Sequence, residues 1–199
     1  MSDAPPNDAG PTNPPPTDGP PASYCEAVRR GLPDPHRAYH DHQYGFPLSG
    51  DAALFGRLLL EINQAGLSWT TILRKQAAFE RAYDGYDVDR IAAYGDADLA
   101  RLLADAGIVR NRLKVRAAIT NAQRIVALRP AYGGFEGWLD AHHPLPLDAW
   151  LARFKVTFTF VGCEIVREFL VSTGYLDGAH DVDCPARARV LAARPPWTR

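Results

Sequence analysis

Residues 54–69, LFGRLLLEINQAGLSW, decide how the chain folds. Leu54, Leu58 and Glu61 recur at helical spacings of four and three, so the stretch predicts an amphipathic helix with one carboxylate beside its leucines. Gln64 follows three residues later on the same side. Gly66 is a helix stop, and Ser68 caps a second helix that begins near Trp69. A carboxylate, an amide and an indole therefore meet at one helix–helix corner. Either the corner is a site, or Glu61 forms an exposed i,i+4 ion pair with Arg57. Such a pair contributes only about 0.3–0.5 kcal/mol.

Outward from this corner the helical pattern continues. The opening helix spans residues 51–64, with Ser49 or Asp51 as its cap. A second helix covers 69–83, burying Ile72, Leu73, Phe79 and Tyr83. A short helix follows near 88–93, then a capped one over 96–106 that Gly107 stops. The longest runs over 110–128, where Val115, Ile119, Ala122 and Val126 form the apolar stripe. Arg110, Arg112, Lys114 and Arg116 surround that stripe, as a solvated basic face or as contacts for phosphate. A short segment at 135–139 sits among turns, and 147–154 is helical. Residues 154–162, FKVTFTFVG, alternate like a strand but have no partner, so they read as a hairpin that feeds a helix over 163–173. A last short helix covers 185–193. The expected fold is all-α, a compact bundle of short helices.

The N-terminal side reads differently. Residues 1–21 hold eight prolines and almost nothing apolar. Such a segment cannot bury enough surface to offset its ordering entropy, and a disordered tail is expected. Residues 22–199 form a single domain. Residues 22–50 look irregular, yet contain Cys25, Tyr39, His40, Asp41, His42 and Tyr44. A loop so rich in ligand-type side chains needs an anchor. His180 and Cys184 stand near the other end. With Cys25 and His40 they make a Cys2His2 set suited to zinc, although the spacing is not that of a finger. Two buried cysteines with surface histidines are the alternative.

Composition bounds the rest. The 199 residues are 46% apolar, with room for a sizeable core. There is no apolar run of 18 residues and no secretory signal pattern, so membrane insertion is not expected. Three cysteines are too few for a disulfide framework and suit a reducing cytoplasm. The net charge of −1 hides an asymmetry. Asp3, Asp8 and Asp18 lie in the tail, leaving 20 acids against 22 bases in the remainder. That balance is compatible with nucleic acid bound through a local patch.

Four stretches carry a resemblance: AYHDHQYG (38–45), LEINQAGLSW (60–69), DAGIVRNR (105–112) and FTFVG (158–162), with His180 and Cys184 after them. Over about residues 24–187 the chain resembles the DNA-3-methyladenine glycosylase I family of the helix-hairpin-helix superfamily. The resemblance implies a monofunctional DNA glycosylase that releases 3-methyladenine from double-stranded DNA. It implies a structural zinc on Cys25, His40, His180 and Cys184. Glu61 falls on the base-reading carboxylate, Tyr39 and Trp69 on pocket aromatics, and Phe160, Val161 and Gly162 on the hairpin that grips the DNA backbone. Tyr44 and Gln64 are expected in the pocket, Arg110 and Arg112 at flanking phosphates. Three positions depart from the family pattern: Ala27 and Tyr44 where tryptophan is usual, and Ile62 where glycine is frequent. These are expected to reshape the pocket wall. No lysine closely follows Gly162, where relatives with lyase activity carry their nucleophile. A glycosylase with a shifted base preference, or a zinc-stapled DNA-binding module without catalysis, are the competing readings. A monomer is expected.

Overall fold

The computed structural model describes residues 19–199, so the tail assigned to 1–21 lies outside the described residues except for 19–21. All regular structure among the described residues is helical. The order is α1 (Tyr24–Arg29), α2 (His36–His42), α3 (Asp51–Gln64), α4 (Trp69–Ala82), α5 (Val88–Ala92), α6 (Asp96–Ala104), α7 (Arg112–Tyr132), α8 (Phe135–His142), α9 (Leu147–Thr157), α10 (Cys163–Ser172) and α11 (Pro185–Ala192). Short 3-10 turns occupy Asp84–Tyr86 and Pro196–Thr198. No helix among the described residues is long and apolar enough to cross a membrane.

Helix α3 is the hub, packing against α4, α7, α8 and α10. Leu54 through Asn63 are all buried, so beyond its first turn the helix has no solvent face where the sequence suggested one. Gly56 permits this. A Cβ there would lie 2.5 Å from the Tyr86 ring, so only glycine lets the Asp84–Tyr86 turn close on the helix. Around α3 the leucines meet an aromatic block from α8, α9 and α10, in which Phe135, Trp138, Phe154 and Phe169 are almost wholly excluded from water. Each such side chain contributes roughly 1.5–3 kcal/mol by burial.

The corner after α3 forms as its residues dictate. Gly66 adopts φ +80, and the Ser68 hydroxyl accepts from Thr71 N–H at the start of α4. The cap of α3 differs from expectation. Gly50 is the N-cap, and the Asp51 carboxylate instead accepts from Phe135 and Glu136 N–H at the start of α8. Glu136 returns the favour by accepting from Gly50 N–H and the Ser49 hydroxyl. Two helix starts thus satisfy each other's orphan donors.

Other boundaries also move. α7 starts at Arg112, because the Asn111 amide caps Leu113 and Lys114 N–H, and runs through Pro130 to Tyr132. α6 ends at Ala104, where Asp105 turns back to accept from Gly107 N–H. Residues 22–50 are irregular only in part, since they contain two short helices. Ser23 caps α1, and α2 carries both Tyr39 and His40.

Candidate functional site

A cavity of about 510 Å3 opens where α2, α3, α4 and α10 meet. Tyr39, Tyr44, Glu61, Gln64 and Trp69 all line it, so all five sequence-predicted pocket residues come together. Glu61 reaches it from the last turns of α3, and Trp69 from the first residue of α4. The Tyr39 and Trp69 rings meet edge to face at 5.2 Å, and Tyr44 lies 5.6 Å from Tyr39. These five residues contribute three aromatic rings and one carboxyl group to the cavity wall.

Glu61 is 4% exposed. Among the described residues it accepts a long hydrogen bond from the Ser172 hydroxyl, at 3.5 Å. Burial pushes its carboxyl up to about 8; nearby Arg57 opposes the rise and Glu168 adds to it. The exposed Arg57–Glu61 pair considered from sequence does not form. Arg57 is itself buried and donates to the Tyr39 hydroxyl at 2.5 Å and to Gln43 Oε1 at 3.5 Å. Its guanidinium also lies 4.9 Å from the Tyr39 ring centre, a cation–π contact. A buried cation therefore fixes Tyr39 rather than neutralising Glu61.

The corner that carries Glu61 and Trp69 has a second buried cation. Lys114 donates to Asn63 O at 2.9 Å and Ala65 O at 2.6 Å, capping the end of α3. This corrects the reading of residues 110–116 as one basic face: Arg110, Arg112 and Arg116 are exposed, but Lys114 is a structural cap. Of the three departures from the family pattern, only Tyr44 reaches the cavity. Ile62 is 2% exposed and packs in the core, because its side of α3 faces other helices. Ala27 is half-buried on α1 and does not line the cavity either.

Sequence reasoning missed Glu168, Arg167 and Tyr24, which also line the cavity. Glu168 flanks the apolar stripe Val166, Phe169 and Leu170 of α10, a placement common to charged residues on surface helices. Tyr24 is held by its hydroxyl, 2.9 Å from His36 Nδ1, while His36 Nε2 lies 2.7 Å from the Thr70 hydroxyl of α4.

Behind the cavity, Cys25, His40, His180 and Cys184 converge, all buried, with ligand atoms within 4.8 Å of one another. His40 Nε2 lies 3.2 Å from Cys25 Sγ and 3.7 Å from Cys184 Sγ; His180 Nδ1 lies 3.2 Å from His40 Nε2 and 3.8 Å from Cys184 Sγ. The outward nitrogens are engaged: His40 Nδ1 donates to Asp41 and His180 Nε2 to Tyr44 O, each at 2.8 Å. These bonds select the tautomers that turn a lone pair toward the centre. Burial pushes the Cys25 thiol up to about 11, so a thiolate there needs a cation beside it. The group could hold one metal ion, joining α1 and α2 to the loop before α11.

The 158–162 turn links α9 to α10 and is clamped from α7. Asn121, fully buried, accepts from Thr159 N–H at 2.8 Å and donates to Thr159 O at 3.1 Å. Phe158 plugs the aromatic block, whereas Phe160 is 39% exposed at φ +60. Val161 is half-buried and Gly162 exposed at the N-cap of α10.

Comparison with known proteins gives consistent matches. The family described as Methyladenine glycosylase matches residues 33–146. DNA-3-methyladenine glycosylase 1 of Escherichia coli (strain K12) is 42% identical over 166 residues, covering 74% of this chain and 88% of that protein. A DNA-3-methyladenine glycosylase of Haemophilus influenzae is 29% identical over 168 residues, covering 75% and 90%. Among solved structures, 3-methyladenine DNA glycosylase I from Staphylococcus aureus superposes with a TM-score of 0.72 at 33% identity, covering 79% of this chain and 94% of that one. A variant of 3-methyladenine DNA glycosylase I in complex with 3-methyladenine gives the same TM-score and identity, covering 79% and 95%.

Proposed function

This chain belongs to the DNA-3-methyladenine glycosylase I family, and on that premise we propose that its cavity receives 3-methyladenine flipped out of duplex DNA. The protein is a DNA-repair glycosylase, an enzyme that acts on alkylated DNA. The observation that carries the site assignment is the single cavity shared by Glu61, Gln64, Tyr39, Tyr44 and Trp69.

The chemistry follows from the base. Alkylation at N3 leaves adenine with a delocalised positive charge. Aromatic faces attract such a cation, and a carboxylate attracts it more strongly. Glu61 accepts a hydrogen bond from the exocyclic amine, and the Tyr39, Tyr44 and Trp69 rings enclose the base. Gln64 adds a polar contact at the rim. The charged base is already a good leaving group, so the enzyme need not protonate it strongly. Selectivity then comes largely from what the pocket holds, and water completes the hydrolysis at the sugar. The reaction is monofunctional: no lysine follows Gly162 closely enough to attack the sugar instead.

Extracting the base costs a few kcal/mol, which backbone contacts supply. Helices α9 and α10, with their turn, act as a helix-hairpin-helix element. Phe160, Val161 and Gly162 approach the backbone there, where the start of α10 favours a phosphate. Arg110 and Arg112, exposed before and at the start of α7, neutralise flanking phosphates.

The metal is zinc. With Zn–N bonds of about 2.0–2.1 Å and Zn–S bonds of about 2.3 Å, a tetrahedron has edges of about 3.3–3.8 Å. The five ligand separations that involve a histidine nitrogen run from 3.2 to 3.8 Å, and all four ligand atoms lie within 4.8 Å of one another. Zinc there would be structural, because four protein ligands leave no open position. A cytoplasmic monomer completes this reading.

Incubation with methylated duplex DNA, followed by identification of the released bases, tests the assignment. Free 3-methyladenine is expected; release of no base would refute it.

A further inference from the structure

Glu168 lines the same cavity as Glu61, and the reaction described above gives it no task. Its Oε2 accepts from the Tyr44 hydroxyl at 3.2 Å, and its Oε1 pairs with Arg167 at 2.9 Å. Those contacts fix the carboxylate and use only part of its acceptor capacity, which is about four lone-pair sites. Arg167 also binds Glu164 at 3.0 Å, on the exposed side of α10. The side chain of Glu168 is 32% exposed, so its field in the cavity is only partly screened. Two carboxyl groups facing one cavity oppose each other's ionisation, so Glu61 keeps its proton while the cavity is empty. A cationic occupant lets both groups carry charge, and a neutral one of the same shape does not.

We propose that Glu168 is a second base-binding carboxylate which, with Glu61, makes the cavity rank bases by positive charge, favouring cationic N-alkylated purines over neutral isosteres. The inference rests on the cavity being the base pocket. Arg167, on the outer side, moderates the effect.

The test uses the full chain, as wild type and as Glu168→Gln and Arg167→Gln. Two quantities are measured: the efficiency of 3-methyladenine release from duplex DNA, and the affinity for the same duplex carrying 3-methyl-3-deazaadenine. In that analogue carbon replaces the alkylated ring nitrogen, so shape and amine are kept and the charge is gone. Glu168→Gln is expected to lower release about fivefold, the scale of one partly screened charge contact, and to leave neutral-isostere affinity within about twofold. Arg167→Gln is expected not to lower the ratio of the two. A ratio unmoved by Glu168→Gln, with both quantities unchanged or both falling together, would overturn the inference alone and leave the pocket assignment standing. A wild-type protein that releases no 3-methyladenine would overturn the pocket assignment and this inference with it.

Discussion

Glu61→Gln separates what this residue costs the fold from what it does for the reaction. Burial raises the Glu61 carboxyl from 4.5 to about 8. Between those values the native protein holds a proton that the unfolded chain has released. Stability therefore falls as pH rises through that window. At about 1.36 kcal/mol per pKa unit, on the order of 3 kcal/mol is lost by pH 7 and on the order of 5 kcal/mol above pH 8. Glutamine keeps the shape and cannot ionise. The variant should match wild type near pH 4.5 and be the more stable protein at pH 7, by roughly 6–12 °C in Tm for a chain of this size. Thermal unfolding of both proteins across pH 4.5–8.5 measures the difference, and the comparison cancels the pH dependence of the metal cluster, which is common to both. Base release, assayed on the same preparations, should be lost. A Tm difference that does not change with pH, or a variant less stable than wild type at pH 8, would refute the burial argument. It would mean that Glu61 is ionised and compensated in the free protein. Undiminished base release would refute its chemical role.

Three further outcomes test neighbouring parts. Metal analysis should find about one zinc per chain, and chelation should lower Tm by releasing α1 and α2 from the loop before α11; a metal-free protein of unchanged Tm would remove the staple. Tyr39→Phe deletes the hydroxyl that accepts from buried Arg57 and leaves the guanidinium with its 3.5 Å contact to Gln43. Denaturant titration should show a loss of about 1–3 kcal/mol, and no loss would mean that water already serves Arg57. Trp69→Ala removes one stacking face and should weaken binding of a methylated duplex by about 1–3 kcal/mol, with little change in affinity for undamaged DNA. Equal losses on both duplexes would place Trp69 outside the base pocket.

The parts of this protein that were legible in its sequence are those whose cause is local. Gly66 and Ser68 act within a few residues of themselves, so the α3–α4 corner and the two pocket residues at its ends could be read directly. The same holds for the turn at 158–162, where alternation without a partner strand left a hairpin as the consistent choice. Asp51 shows the limit. It has the chemistry of a cap and is one, but for a helix that begins 84 residues later. Lys114 likewise looks like one base in a cluster until α7 packs against the end of α3. Helices α1 and α2 were missed for another reason: six or seven residues carry too little periodicity to read, although Ser23 with Glu26 three residues on is a capping pattern that could have signalled α1. Tyr44 joins both cases. As a departure from the family pattern it was visible at once, but its consequence was not. Its hydroxyl meets Glu168, 124 residues away, and only the tertiary fold makes them one wall of the cavity. Ile62 stood next to the carboxylate in sequence and proved remote from the cavity, since adjacent residues on a helix point about 100° apart. Pocket shape in this protein is therefore set by pairs across elements, and a substitution at 44 has to be judged together with residue 168.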